Sequence, residues 1–225
     1  MARTRFTPGR LVLVILIAAL SWYLRDHQRS QPKEKSPGWE VPAAPSKKPA
    51  PARKTGAYDT FTGCRFVEHR QNDGDSFRVK LQDGRVEQFR LYFVDCPESE
   101  FRSYRGGATN HERIHEQAQA FAISDQQAVE IGSRAKSRVH DLLGHGSFTL
   151  HTRWDDPFDD ERYHAFVLSA DGAWLDEILV SEGLARIHTK GADLPDGTSM
   201  KLHQSHLREI EKEARRKHRG AWGVN

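Results

Sequence analysis

The chain of 225 residues carries 34 Lys and Arg, 31 Asp and Glu and two Cys, and 37% of its residues are hydrophobic. This composition excludes a multi-span membrane protein, a disulfide-stapled mini-domain and a coiled coil. Residues 1–55 hold 11 Lys and Arg against three Asp and Glu, whereas residues 56–225 hold 23 against 28. If the C-terminal part binds nucleic acid, it does so through local arginines or a metal ion and not through its overall charge.

The first 24 residues have the pattern of a membrane-targeting segment. Residues 1–10 are basic, and residues 11–24 form a run of 14 residues without a charge. As a helix this run spans about 21 Å, less than the ~30 Å hydrocarbon core of a bilayer. It fits an uncleaved signal anchor with Trp22 and Tyr23 at the interface, a cleaved signal peptide, or a buried soluble helix. We expect a single-pass anchor with the following domain outside the cytoplasmic membrane, or secretion if the segment is cleaved.

Residues 25–57 are predicted to form a disordered linker. Six of the ten prolines lie in this segment, among Lys, Ala and Ser. Such a sequence buries too little apolar surface to offset the entropy of ordering, and its prolines favour an extended spacer. The folded domain is therefore placed at residues 58–225.

Within this domain, hydrophobic periodicity predicts strands and helices in a characteristic order. The predicted strands are residues 63–69, 76–81, 86–94, 147–152 and 164–168, with an Asp83-Gly84 turn between the second and third. The predicted helices are residues 111–122, 125–143, 173–182 and 200–218, and the second has Ser124 as N-cap and Gly144 after its end. This order indicates a small closed β-barrel with packed helices.

Two short stretches carry the charged residues of a candidate site. Asp75 lies where a turn enters a strand, and Asp95 and Glu98 lie where the next strand ends. Hard cations prefer oxygen ligands, and the backbone carbonyl of Cys96 would add a neutral oxygen to these carboxylates. Arg90 points to the face opposite its apolar neighbours, and a guanidinium beside carboxylates and a metal ion suits phosphate recognition.

The motif DGDS at residues 73–76, followed by RLYFVDCPE at residues 90–98, resembles the thermonuclease, or staphylococcal-nuclease-like, family. The resemblance continues through residues 162–185 and closes at residues 207–222, so it covers about residues 60–223. It implies an α+β fold, a five-stranded OB-fold β-barrel with helices. It also implies calcium-dependent hydrolysis of phosphodiester bonds in DNA or RNA, and hence an endonuclease.

By the same resemblance, Asp75, Asp95 and the backbone carbonyl of Cys96 would bind Ca²⁺. Glu98 would orient or deprotonate the attacking water, and Arg90 with Arg162 would bind the scissile phosphate. We expect a monomer with a nucleic acid as substrate, attached to the membrane by its N-terminal segment.

The sequence departs from the family pattern at three places. Acidic residues 159–161 replace the lysine and tyrosine that normally precede Arg162. Thr189 and Gly191 stand where the family has tyrosines that help to bind the nucleotide, which affects substrate affinity and cleavage preference. Residues 101–127 form an insertion that could be a lid, a specificity element or a neutral addition.

Other interpretations remain open at this stage. The sequence HERIH at residues 111–115 matches the zinc-protease motif H-E-x-x-H, and its two histidines could instead bind zinc adventitiously. Cys64 and Cys96 could form a disulfide in an exported domain. The basic run at residues 215–219 could bind nucleic acid or be a solvated helix end. The main alternative to a nuclease is a non-catalytic OB-fold module that binds nucleic acid or protein.

Overall fold

The computed structural model of this protein describes residues 53–157 and 159–224. The predicted segments at residues 1–10 and 11–24 and most of the predicted linker lie outside these described residues. Among the residues that are described, no helix has the length and apolar character needed to cross a membrane. Regular structure begins inside the predicted linker, because Arg53–Thr55 pairs with the next strand.

The domain combines a mixed β-sheet with helices, as predicted. The strands are β1 Arg53–Thr55, β2 Tyr58–Val67, β3 Ser76–Lys80, β4 Val86–Leu91, β5 Val94–Asp95, β6 Phe148–Thr152, β7 Arg162–Leu168 and β8 Arg186–Ile187. Five of them, β2, β3, β4, β7 and β6, pair in this order, and β6 also pairs with β2, so the hydrogen bonding returns to its starting strand. The β4–β7 pairing is parallel and the other pairings in the sheet are antiparallel. A second, two-stranded sheet contains β5 and β8.

Two strand boundaries differ from the prediction by three residues or more. The first predicted strand begins at Tyr58 and not at residue 63, because a bulge between Phe61 and Cys64 interrupts its pairing with β6 without ending the strand. The predicted strand 86–94 ends at Leu91, because Phe93 takes a left-handed backbone conformation with φ +66°. The alternation of apolar residues continues through this kink, since the Phe93 side chain is still buried.

Four α-helices and a terminal 3₁₀ helix complete the described structure. As predicted, Ser124 caps the second helix, and its side chain and that of Gln127 form a capping box. Residue 144 follows the helix end, where its N–H donates to the carbonyl of His140 at 2.7 Å. The helices are α1 His111–Phe121, α2 Asp125–Leu143, α3 Leu175–Ser181, α4 Met200–Arg216 and the 3₁₀ helix Gly220–Gly223.

One hydrophobic core joins the strands to the helices. Its buried members include Phe77 of β3, Phe89 of β4, Phe166 of β7 and Ile131 of α2. The inserted helix α1 adds a small cluster of its own, in which Ile114 and Ala118 pack with Ala128 of α2. The insertion is therefore packed on the domain and has a fixed position beside the end of β5.

Candidate active site

Two buried carboxylates lie on either side of one arginine. Arg90, near the end of β4, uses a single nitrogen, Nη2, to donate to Asp75 Oδ2 at 3.2 Å and to Asp95 Oδ1 at 3.0 Å. The three side chains are 7%, 5% and 3% exposed. The backbone N–H of Cys96 also donates to Asp75 Oδ2, at 3.1 Å. The sequence prediction that Asp75, Asp95 and Arg90 lie together therefore agrees with the structure.

The kink at Phe93 and the short β5 strand explain how Asp95 reaches this position. Asp95 pairs in register with Arg186 of β8, and the Arg186 Nε donates to Asp95 Oδ2 at 2.8 Å. Arg113 of α1 donates to Asp95 Oδ1 at 2.9 Å. With Arg90 and Gln117, four donors reach this carboxylate, which is about its full acceptor capacity.

Gln117 of α1 ties the insertion to the turn that follows β5. Its side chain is fully buried and donates to Asp95 Oδ2 at 3.0 Å and to the Cys96 carbonyl at 2.9 Å. Its Oε1 accepts the backbone N–H of Glu98 at 3.0 Å. A single amide thus holds three of the four residues 95–98, which we call the catalytic turn.

Glu98 lies at the edge of this cluster and forms an ion pair with the insertion. The Arg113 Nε is 3.0 Å from Glu98 Oε1, and the Glu98 side chain is 13% exposed. The predicted base is therefore linked to Asp95 through Arg113, which contacts both Asp95 and Glu98.

Two glycines allow the backbone of the site to pack closely. A Cβ added to Gly132 of α2 would lie 2.4 Å from the carbonyl oxygen of Pro97 and 2.3 Å from that of Glu98. A Cβ added to Gly74 would lie 2.8 Å from Cys96 Sγ and 2.7 Å from the Cβ of Ala135. Because these distances are too short for any real Cβ, a larger residue at either position would displace the turn.

Burial and the charges of neighbouring groups shift the pKa values of the aspartates in this cluster. Burial, together with the negative charges of Asp75 and Glu98, raises the pKa of Asp73 to about 7. Burial also raises the pKa of Asp75, against the opposing charge of Arg90. Burial alone would raise the pKa of Asp95, but the surrounding arginines and Gln117 hold it below its usual range. A bound cation would relieve the repulsion among these carboxylates, so the oxygen donors of this cluster fit a hard cation such as Ca²⁺.

A basic cleft of about 390 Å³ opens beside the two aspartates. Its lining includes three arginines, a lysine and two histidines together with polar and acidic groups. The lining residues are Arg90, Asp95, Arg113, Glu116, Pro157, His164, Arg186, His188, Thr189 and Lys190. One guanidinium group can bind two phosphate oxygens at once through two parallel hydrogen bonds, so this lining suits a phosphorylated ligand.

Arg162 is the predicted site residue that the structure does not bring into this cluster. It begins β7, opposite Gln88 of β4, and its guanidinium forms an ion pair with Asp160. Arg162 is absent from the lining of the cleft, whereas Arg90 and His164, which pair in register between the same strands, both contribute to it.

The sequence analysis missed Arg113, Gln117 and Arg186. A signal existed for Gln117, because it lies on the apolar face of α1 with Ile114 and Phe121, where a buried polar side chain needs partners. No comparable signal marked Arg186, whose role depends on the pairing of β5 with β8.

The structure also bears on two alternatives from the sequence, the Cys64–Cys96 disulfide and zinc binding at residues 111–115. Cys64 and Cys96 are both free and buried, so they do not form the disulfide considered above, and burial raises the pKa of Cys64 to about 12 and that of Cys96 well above its usual range. His115 bonds through one ring nitrogen to Asp125 and through the other to Gln119, an arrangement that leaves no free nitrogen for zinc.

Basic residues at the end of α4 form ion pairs with acidic residues of the same helix. Arg216 and Lys217 both pair with Glu213, and Arg215 pairs with Glu211 and lies 3.6 Å from the ring centre of Trp222. These contacts favour the interpretation of a solvated helix end.

Comparison with known families agrees with this geometry. Residues 88–224 match the family described as "Staphylococcal nuclease homologue", which is more than half of the chain, and the protein belongs to this family. The matched range contains Arg90, Asp95, Cys96, Glu98 and Arg162 but not Asp75. No individual curated protein is significantly similar to the chain. Membership of this family points to a nuclease-type or nucleic-acid-binding function.

Proposed function

We propose that this protein is a calcium-dependent nuclease that hydrolyses phosphodiester bonds in DNA or RNA. The observation that carries this proposal is that buried Asp75 and Asp95 both accept from one nitrogen of Arg90, and that Arg90 and Asp95 line a basic cleft. Asp75, Asp95 and the Cys96 carbonyl are the residues that would hold Ca²⁺, which when bound would offset the negative charge of the scissile phosphate.

In this proposal the residues of the chain bind the phosphate and activate water. Arg90, Arg113 and Arg186 all line the cleft, and their guanidinium groups would bind the phosphate and stabilise the charge that develops on it. Glu98 would take a proton from the attacking water as the phosphorus–oxygen bond to the leaving group breaks. For Arg162 to take the role that the resemblance implies, it would have to leave Asp160.

We extend the proposal to features that rest on the sequence. The pairing of β2, β3, β4, β7 and β6, which returns to β2, supports the proposal that these strands form an OB-fold barrel. The charge-free run at residues 11–24 supports a membrane anchor or signal peptide with the domain outside the cytoplasmic membrane. We propose that the domain acts there as a monomer.

One observation favours the second candidate, a non-catalytic binding module. Protein donors already reach both oxygens of Asp95, and Gln117 donates to the Cys96 carbonyl that would face the cation. Some of these donors would have to give way to a metal ion. A module that only binds nucleic acid would use the same arginines without this rearrangement.

The two candidates are separated by cleavage of labelled single-stranded DNA and RNA by the full chain. We expect cleavage with millimolar Ca²⁺ and none with excess chelator, and Glu98→Gln, prepared in parallel, should cleave about 10²–10⁴-fold more slowly. Binding of the same oligonucleotides without cleavage, in Ca²⁺ or in other divalent ions, would favour the binding module.

A further inference from the structure

A second cluster of ligating side chains lies where α2 ends, outside the site described above. His140 and Asp141 are in the last turn of α2, and His145 follows two residues after the helix end. The N–H of Gly144 donates to the carbonyl of His140, as in one more turn of the helix, and Gly144 keeps a right-handed helical conformation, so His145 follows the helix end directly. The two imidazole rings are 5.4 Å apart between centroids.

The ligand atoms of these three residues already lie close together. One atom from each of His140, Asp141 and His145 lies within 4.8 Å of the other two. The His140 Nδ1 and Asp141 Oδ1 atoms are 3.7 Å apart. Two ligands on one tetrahedral zinc ion are separated by about 3.3 Å, given metal–ligand bonds of about 2.0–2.1 Å. Small rotations of exposed side chains would therefore close the cluster around an ion.

His140 has the environment of a metal-binding histidine. Its Nε2 is 2.7 Å from Glu68 Oε1, directly after β2, and its ring packs edge-on against Phe66. With Nε2 at ion-pair distance from this carboxylate, Nδ1, which faces Asp141, is the ring nitrogen placed to bind a metal ion. Histidine ligands in metal sites are commonly oriented by a carboxylate in this way.

The type of ligand selects the type of ion. Two imidazoles with one carboxylate favour Zn²⁺ and related transition-metal ions, whereas Ca²⁺ prefers an all-oxygen site such as the one at Asp75 and Asp95. In the part of the chain that the structure describes, this is the one group of three His, Cys, Asp or Glu residues with its ligand atoms this close. The pair His111 and His115 lacks this arrangement, since His115 uses both ring nitrogens in other contacts.

We propose that His140, Asp141 and His145 bind a Zn²⁺-type ion, with Glu68 orienting His140. The ion would join the end of α2 to the loop that leads into β6. This role does not depend on nuclease activity.

The proposal is tested by titrating the untagged full chain, in detergent, with ZnCl₂ in an isothermal calorimeter with 1 mM CaCl₂ present. We expect one Zn²⁺ equivalent that Ca²⁺ does not displace, and at least tenfold weaker binding for His145→Ala and for Asp141→Asn. His145 and Asp141 are both exposed, so these variants should keep the fold, which thermal unfolding without metal would verify.

His115→Ala is the matched control, because His115 is also an exposed histidine paired with a carboxylate. It should bind Zn²⁺ as the wild type does. The proposal is overturned if the wild type does not bind Zn²⁺ at 100 µM, taken as about the weakest binding of interest. It is equally overturned if His145→Ala binds like the wild type, or if His115→Ala loses as much affinity as His145→Ala.

Discussion

Replacing Gln117 by Met tests whether the inserted helix fixes the catalytic turn. Met has nearly the same length and helix propensity as Gln, so the substitution leaves α1 otherwise unchanged. It removes the partners of the Cys96 carbonyl and the Glu98 N–H, and Asp95 loses one of its four donors. An unsatisfied buried group costs about 1–3 kcal/mol, and since Glu98 N–H is only partly buried we expect a total of about 2–4 kcal/mol.

Thermal unfolding followed by circular dichroism measures this effect. For a domain of this size, 1 kcal/mol lowers Tm by about 2–4 °C, so Gln117→Met should unfold about 4–16 °C below the wild type. Gln119→Met is the matched control, because Gln119 lies exposed on the same helix and contacts only His115. A Gln117→Met protein that unfolds within 1–2 °C of the control, about 0.5 kcal/mol, would refute the view that this amide secures the turn.

Three further predictions concern the site and the stability of the domain. Glu98→Gln should lower the cleavage rate by about 10²–10⁴-fold, as expected for loss of a general base, with little change in Tm. Arg113→Ala should lower kcat/KM by about 10²-fold or more and Arg162→Ala by less than about tenfold, because only Arg113 lines the cleft; the opposite order would favour the role that the resemblance assigns to Arg162. Burial lowers the pKa of His203, but its hydrogen bond to Asp176 at 2.6 Å and the charge of Asp176 outweigh this and raise the pKa overall. The charged pair should therefore stabilise the fold fully below about pH 6.5 and progressively less as the pH rises through the raised pKa, so the difference in unfolding free energy between wild type and His203→Gln should shrink with rising pH in urea titrations. A difference that stays constant from pH 5.5 to 9 would contradict this assignment.

Local sequence signals were sufficient where the structure itself is local. The Asp83-Gly84 turn, the Ser124 cap and the end of α2 before Gly144 depend on a few neighbouring residues, and each prediction is confirmed. The alternation of apolar residues also located at least part of β2, β3, β4, β6 and β7, but not the short strands β1, β5 and β8. The alternation did not reveal the end of β4. Phe93 is buried and continues the apolar pattern of the strand although its backbone is left-handed.

For the candidate site, too, the sequence predicted the local part and not the contacts that depend on tertiary packing. The motifs at residues 73–76 and 90–98 contain the residues that lie at adjacent strand ends, so the sequence located Asp75, Arg90, Asp95 and Glu98. The insertion had no assigned role, because the contacts of Arg113 and Gln117 depend on how α1 packs against α2.

The sequence by itself determined the family, the α+β composition and the acidic residues of the site, because these depend on residue type, spacing and hydrophobic period. Only the tertiary structure decided which cations surround those acids. Arg113 comes from an inserted helix and Arg186 from a strand 91 positions after Asp95, and both reach the same carboxylate through packing. Conversely, Arg162 turns to Asp160, two residues away. An arginine pairs with whichever carboxylate the fold brings within reach, and spacing along the chain does not specify that partner.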